Sequence, residues 1–274
     1  MKRRPPPPRP ETKPRRREAQ PPFGREAHPE REAPREPVLG LRAGLAVFER
    51  RRDDILRVAY ARAVRAEVEP LVRWASSHDV PCAELHDAEI DRVAESSHHE
   101  GLCVFAKERR WASAHELGDA LLRARGTLVA LDRVRNPYNV GAVLRSAAFF
   151  GVQGALLGAP APHPGLPPVA VRVAEGGVEH LLLGRTTDLA DTLARLRTRG
   201  VRVVGADGQA DRSALGFPFA RPTVLVLGNE REGLLERVRA QCDALVAIPG
   251  SGAVESLNVA VAAGVLIAEL TRSR

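Results

Sequence analysis

Gly250, Ser251 and Gly252 make a tight turn after a short apolar approach through Leu245, Val246 and Ile248. Ser256, Leu257 and Asn258 follow at the head of an almost wholly apolar helix expected to end near Leu270. A glycine-rich turn at a helix start offers free backbone N–H groups and close approach to a ligand. A dinucleotide fold would place a third glycine where Glu255 stands, and an acidic ribose partner about 20 residues further on. The sequence has neither, so the turn reads as a ligand loop near the C-terminal end of a domain. Two other stretches carry isolated polar groups in apolar surroundings. Arg145 is the only charged residue in an expected helix over 140–150, with Asn139 six residues ahead of it. Six residues is under two helical turns, so an Asn139 at the helix cap and Arg145 could face one site. Glu230 follows Gly228 and Asn229 directly after the apolar run 223–227. Each has a structural alternative: a snorkelling arginine at a helix edge, capping roles for Asn139, Ser256 and Asn258, and a first-turn acid for Glu230.

The elements that must position these groups alternate regularly. Residues 127–274 read as strand, helix, strand, with strands at 127–131, 154–157, 181–183, 201–206, 223–227 and 244–248. Expected helices lie at 140–150, 169–176, 188–199, 234–241 and near the C-terminus. The strands are apolar on both faces, which argues for a parallel sheet covered on both sides. The polar loops all fall where a strand hands over to a helix, the place ligands take in such sheets. Residues 38–108 read as a smaller α/β domain and 109–126 as a charged linker with a short helix around 117–122.

Residues 1–37 hold half of the 22 prolines, including the run from Pro5 to Pro8, and read as a disordered Pro/Arg-rich tail. The chain has a net charge of +7, and this tail carries +5 of it. Such a tail suits a polyanion, since each neutralised phosphate releases counterions. Cys82, Cys103 and Cys242 are odd in number and widely spaced, so neither a disulfide framework nor a zinc site is indicated. A reducing cytoplasm is the simplest compartment. No uninterrupted apolar stretch reaches the 18 residues of a membrane span.

Three ordered stretches carry a resemblance. These are NPYNVGAVLRSAAFFGV at 136–152, LVLGNEREGL at 225–234, and IPGSGAVESLNVAVAAGVLIAEL at 248–270. They resemble the three signatures of the SpoU (TrmH-type) RNA ribose methyltransferases of the SPOUT class. The resemblance implies an α/β fold: a parallel-sheet SPOUT domain with a C-terminal trefoil knot, preceded by a small α/β substrate-binding domain related to a ribosomal protein. That family's N-x-G-x-x-x-R pattern is met by Asn139, Gly141 and Arg145. It assigns Asn139, Arg145, Glu230, Ser256 and Asn258 to the catalytic site, and Gly228, Ile248 and Leu257 to main-chain contacts with the adenosine of the methyl donor.

The implied donor is S-adenosylmethionine, with no metal. The implied reaction is transfer of its methyl group to a ribose 2′-hydroxyl of a structured RNA, with rRNA favoured and tRNA the alternative. A catalytically silent RNA-binding or ribosome-assembly protein is the reading from another class. Arg145 has been given the role of general base in this family; a guanidinium is essentially always protonated, and gripping a phosphate bidentately suits it better. The resemblance also implies a homodimer. Three positions depart from the pattern: Glu100 where glutamine is usual, Gly250 where methionine is usual, and Ala260 where a second serine is usual.

Overall fold

The computed structural model describes residues 35–158 and 165–272. In chain order these form β1 (Arg35–Leu39), α1 (Leu41–Arg51), β2 (Ile55–Ala61), α2 (Arg65–Ser77), β3 (Cys82–Leu85), α3 (Asp87–Ala94) and β4 (Leu102–Lys107). There follow α4 (Ala114–Ala124), β5 (Thr127–Asp132), α5 (Pro137–Phe149), β6 (Gly154–Gly158), α6 (Pro168–Val173), β7 (Leu182–Thr186) and α7 (Leu189–Thr198). The last elements are β8 (Arg202–Ala206), β9 (Thr223–Leu227), α8 (Glu236–Arg239), β10 (Ala244–Val246) and α9 (Val259–Arg272).

The larger sheet has six strands in the order β10-β8-β9-β5-β6-β7, all parallel. Every residue of β5, β6 and β9 is buried. Their near-continuous apolar runs fit a sheet with helices on both faces. On one face Val129, Leu131, Leu225 and Leu227 pack with Leu144 of α5, Ala170 of α6 and Leu266 of α9. On the other, Leu128, Ala130, Val224 and Val226 pack with Leu117 and Leu121 of α4 and Leu193 of α7. So α4 is part of a covering layer, and the segment expected as a linker is built into the domain. The chain enters at β5, winds out through β6 and β7, then crosses to lay β8, β9 and β10 on the other side. The winding therefore reverses between β5 and β9, and in such sheets the carboxyl ends at that reversal are where ligands bind.

The smaller sheet runs β1-β4-β2-β3, with β2 and β3 parallel and the other pairs antiparallel. Strand β1 corrects the expected tail boundary. Arg35, Glu36 and Pro37 pair with Lys107, Ala106 and Phe105 of β4. Proline is tolerated there because β1 is an edge strand. The rest of the basic tail lies outside the described residues. In the second half, α8 is shorter than the expected helix over 234–241, and β10 ends two residues earlier than expected.

The two sheets share one contact unit. Leu166 and Val171 pack into the small sheet's apolar cluster. A cluster of four charges closes the join. Glu36 accepts from Arg109 Nη2 at 2.8 Å and also pairs with Arg51. Glu179 accepts from Arg51 Nε at 2.8 Å and from Arg109 Nη2 at 3.3 Å. All four side chains are at most 18% exposed. Burial by itself pulls the Arg51 guanidinium down; the Glu179 hydrogen bond and the charges of Glu179 and Glu36 carry it above its ordinary value. Removing one member of a buried ion cluster strands the others. Glu36→Ala should therefore cost about 3 kcal/mol of stability in denaturant unfolding. Deleting residues 1–37 should be destabilising for the same reason, whereas a deletion ending at residue 34 should leave the unfolding midpoint unchanged.

Candidate active site at the carboxyl ends of β5, β9 and β10

Strand β5 ends in Asp132, which is 2% exposed and accepts from Leu235 N at 2.7 Å. The next residue, Arg133, has a left-handed backbone (φ 59°). Its carbonyl accepts from Asn229 Nδ2 at 3.1 Å, and its guanidinium donates to Gly233 O at 3.2 Å and pairs with Glu232. The β9 loop is therefore clamped to the end of β5. Asn229 and Gly233 exchange two backbone hydrogen bonds of 3.0 Å, and Asn229 Oδ1 accepts from Arg231 N and Glu232 N. Gly228 is required here, since a Cβ on it would lie 2.4 Å from the Gly233 carbonyl carbon. Glu230 stands exposed at the tip of this closed loop. It is six residues ahead of α8, so the first-turn acid role does not apply.

Helix α5 starts earlier than expected. Asn136 is its cap, accepting from Tyr138 N at 2.9 Å, and Pro137 opens the first turn. Asn139 is consequently inside the helix, with its side chain free for other work. Its Nδ2 donates to Glu230 Oε1 at 2.6 Å, and its Oδ1 accepts from Asn258 Nδ2 at 3.1 Å. Asn258 Oδ1 in turn accepts from Ala260 N at 2.9 Å and Val261 N at 3.4 Å, capping α9. The last helix thus begins at Val259; Ser256 and Leu257 lie in the preceding exposed loop rather than in its first turn. The network fixes both amide orientations, because a flip of Asn139 would set oxygen against carboxylate and N–H against N–H.

Three of the five expected catalytic residues are therefore joined side chain to side chain, and Ser256 precedes the third by two positions. Arg145 is placed otherwise. Its Nη1 donates to Glu175 Oε1 at 2.8 Å, and its side chain is 54% exposed. At 100° per residue, Asn139 and Arg145 lie about 120° apart around α5, so they do not share a face. Of the expected donor contacts, Ile248 is half-buried against the main core, while Leu257 is 46% exposed. Val254 beside it is 72% exposed. Cβ atoms built on Gly250 and Gly252 would meet nothing within 4 Å, and Gly252 has φ 82°. An open glycine loop flanked by uncovered apolar side chains fits a flat heterocycle gripped by main chain.

Sequence reasoning missed Asp132, Arg133, Asn136 and Asn229. The Asn136–Pro137 pair is a local helix-start signal; the others act through partners about a hundred residues away. The cysteines offer no alternative nucleophile. Burial pushes the Cys103 and Cys242 thiols up to about 12 and Cys82 up to about 11. Among the described residues there is no group of three or more His, Cys, Asp or Glu side chains that could hold a metal ion.

The SpoU rRNA Methylase family profile matches residues 126–268. The chain belongs to this family. A SpoU relative, the 23S rRNA (guanosine-2′-O-)-methyltransferase RlmB of Shewanella oneidensis, is 33% identical over 240 residues, covering 86% of this chain and 97% of that protein. An uncharacterized tRNA/rRNA methyltransferase of Mycobacterium ulcerans is 34% identical over 242 residues, covering 88% of this chain and 76% of that one. An AdoMet-bound rRNA methyltransferase from Sinorhizobium meliloti shares the fold with a TM-score of 0.73 at 25% identity, over 87% of each chain. As a SpoU protein the chain is an S-adenosylmethionine-dependent RNA methyltransferase.

The double role of Asn258 gives a clean test of the amide relay. Asn258→Asp keeps the oxygen that caps α9 but sets a carboxylate against Asn139 Oδ1. Methyl transfer should fall at least about tenfold, as for a small misplacement of site groups, while the melting temperature is kept. Asn258→Ala should lose the cap too, at about 1 kcal/mol in chemical unfolding.

Proposed function

We propose that this SpoU protein methylates a ribose 2′-hydroxyl of a structured RNA, rRNA ahead of tRNA. The observation that carries the reading is the chain Glu230–Asn139–Asn258, which ties the three strand-end loops into one site. The relative named for guanosine 2′-O-methylation of 23S rRNA spans nearly the whole chain and supports rRNA as the substrate class.

S-adenosylmethionine supplies, when bound, an already activated sulfonium methyl, so the chain's residues need only align the attacking oxygen and help its proton leave. Gly228, Ile248 and Leu257 would hold the adenosine through main chain and apolar contact. Asn139 and Glu230 would set the β9 loop, and Asn258 and Ser256 would set the loop before α9. Arg145 would grip the phosphate next to the reacting ribose; its fixed positive charge suits that role better than proton abstraction. The small α/β sheet (residues 35–107) would select the RNA, with the basic tail ahead of β1 adding sequence-independent phosphate contacts.

Three further features belong to the same reading. The C-terminal segment forms the SPOUT trefoil knot: β10 lies at the sheet edge beside β8, yet α9 returns to pack on α5 and β9. The protein pairs as a homodimer through α5 and α9, whose outer faces carry Tyr138, Phe149 and Val261, all more than half exposed. It works in the cytoplasm; among the described residues no helix is long and apolar enough to cross a membrane.

Ribose-methylation mapping of total RNA with and without the gene tests the reading. One 2′-O-methyl mark in rRNA should vanish with the gene; an unchanged map together with no donor binding by calorimetry would leave only the silent RNA-binding protein. Arg145→Ala should abolish transfer while donor affinity stays as in the wild type. Light scattering at micromolar concentration should give the mass of two chains.

A further inference from the structure

The turn after α6 sets one carboxylate between two arginines from the two halves of the molecule. Glu175 Oε1 accepts from Arg145 Nη1 at 2.8 Å, and its Oε2 lies 3.6 Å from Arg42 Nε on α1. The backbone of the turn that carries it is unusual. Glu175 is left-handed (φ 44°), and so is Gly176 after it (φ 84°). Side chains rarely adopt the first of these conformations. Glycines let the turn fit between the helices. A Cβ on Gly176 would come within 2.8 Å of Ala46 Cβ on α1, and one on Gly177 within 3.2 Å of Arg145 Cα on α5. The turn is wedged against both helices, with Glu175 held over the guanidinium of Arg145.

We propose that Glu175 is the positioning residue of Arg145, and that Arg42, by sharing the carboxylate, ties the setting of Arg145 to the seating of α1. The inference rests on the assignment of Arg145 to methyl transfer. An arginine on an exposed helix face samples many rotamers. An anion engaging one Nη from the side fixes the plane of the fork and leaves its other N–H donors for a phosphate oxygen. An ion pair this exposed contributes little to stability. Its loss should therefore appear in turnover and not in unfolding, which separates positioning from a structural role.

The test uses the full chain, labelled S-adenosylmethionine, and rRNA from a strain lacking the gene. Turnover, RNA KM, donor affinity and melting temperature are measured for Glu175→Ala, Glu175→Gln, Arg42→Ala and Arg145→Ala. Both Glu175 variants keep a Cβ, so neither relieves the backbone at that position. Glu175→Ala should lower kcat about 10- to 100-fold, the range expected from misplacing a site group, with donor affinity and melting temperature unchanged. Glu175→Gln keeps an acceptor oxygen and should recover part of the loss; Arg42→Ala should show a smaller drop of the same kind. Wild-type turnover in Glu175→Ala beside an inactive Arg145→Ala would overturn the positioning role. Parallel loss of turnover and melting temperature in both Glu175 variants would make the residue structural and also overturn it. Full activity in Arg145→Ala would sink the assignment of Arg145 itself, a separate failure.

Discussion

The amide of Asn139 joins segments that stand 91 and 119 residues away along the chain. Few side chains could do this. The middle member must donate to a carboxylate on one side and accept from an amide on the other, within one short rigid plane. Aspartate would repel Glu230, and serine would not reach both partners. The bonds lie at the surface and their net energies are small. Their importance is geometric, since they register three loops that the strands alone only bring to the same edge. Everything the loops offer, from the carboxylate tip of residues 228–233 to the open glycine turn before α9, depends on that registration.

A second set of contacts lies underneath it. Asp132 and Arg133, at the end of β5, hold the β9 loop from below through Leu235 N, Gly233 O and Asn229. Asn229 is the chain neighbour of Glu230, so this clamp also bears on where Glu230 meets Asn139. The site thus has an outer relay of two amides ending on a carboxylate and an inner clamp built on Asp132 and Arg133, the second anchored on the central strands where the winding of the sheet reverses.

Much of this was legible in the sequence, and the limits have physical causes. Strand β9 was read to the residue because a run such as Thr-Val-Leu-Val-Leu, buried on both faces, has no competing period. The three loops were legible because glycine and isolated polar residues stand out between apolar runs. Strand β1 was missed because its sequence, Arg-Glu-Pro-Val-Leu, continues the composition of the tail and becomes a strand only by pairing with β4. The start of α5 was misplaced because hydrophobic periodicity begins at Val140, whereas the cap sits at Asn136. The partner of Arg145 had no local signal: Glu175 is 30 residues away, in a turn shaped by packing against α1.

The buried cluster of Glu36, Arg51, Arg109 and Glu179 has a bearing on how such an enzyme chooses among RNAs. Two globules on a flexible tether could each find their own patch, and the tether would accept many separations. Here the seam is buried, charged and mutually satisfied, and its four partners hold the small sheet against the large one. On the proposed function, an RNA touching both halves would have to present its two contact points at a spacing set by this seam, like an object offered to a pair of compasses held at one opening. Discrimination would then come from the fixed geometry of the join as well as from the groups that meet the RNA.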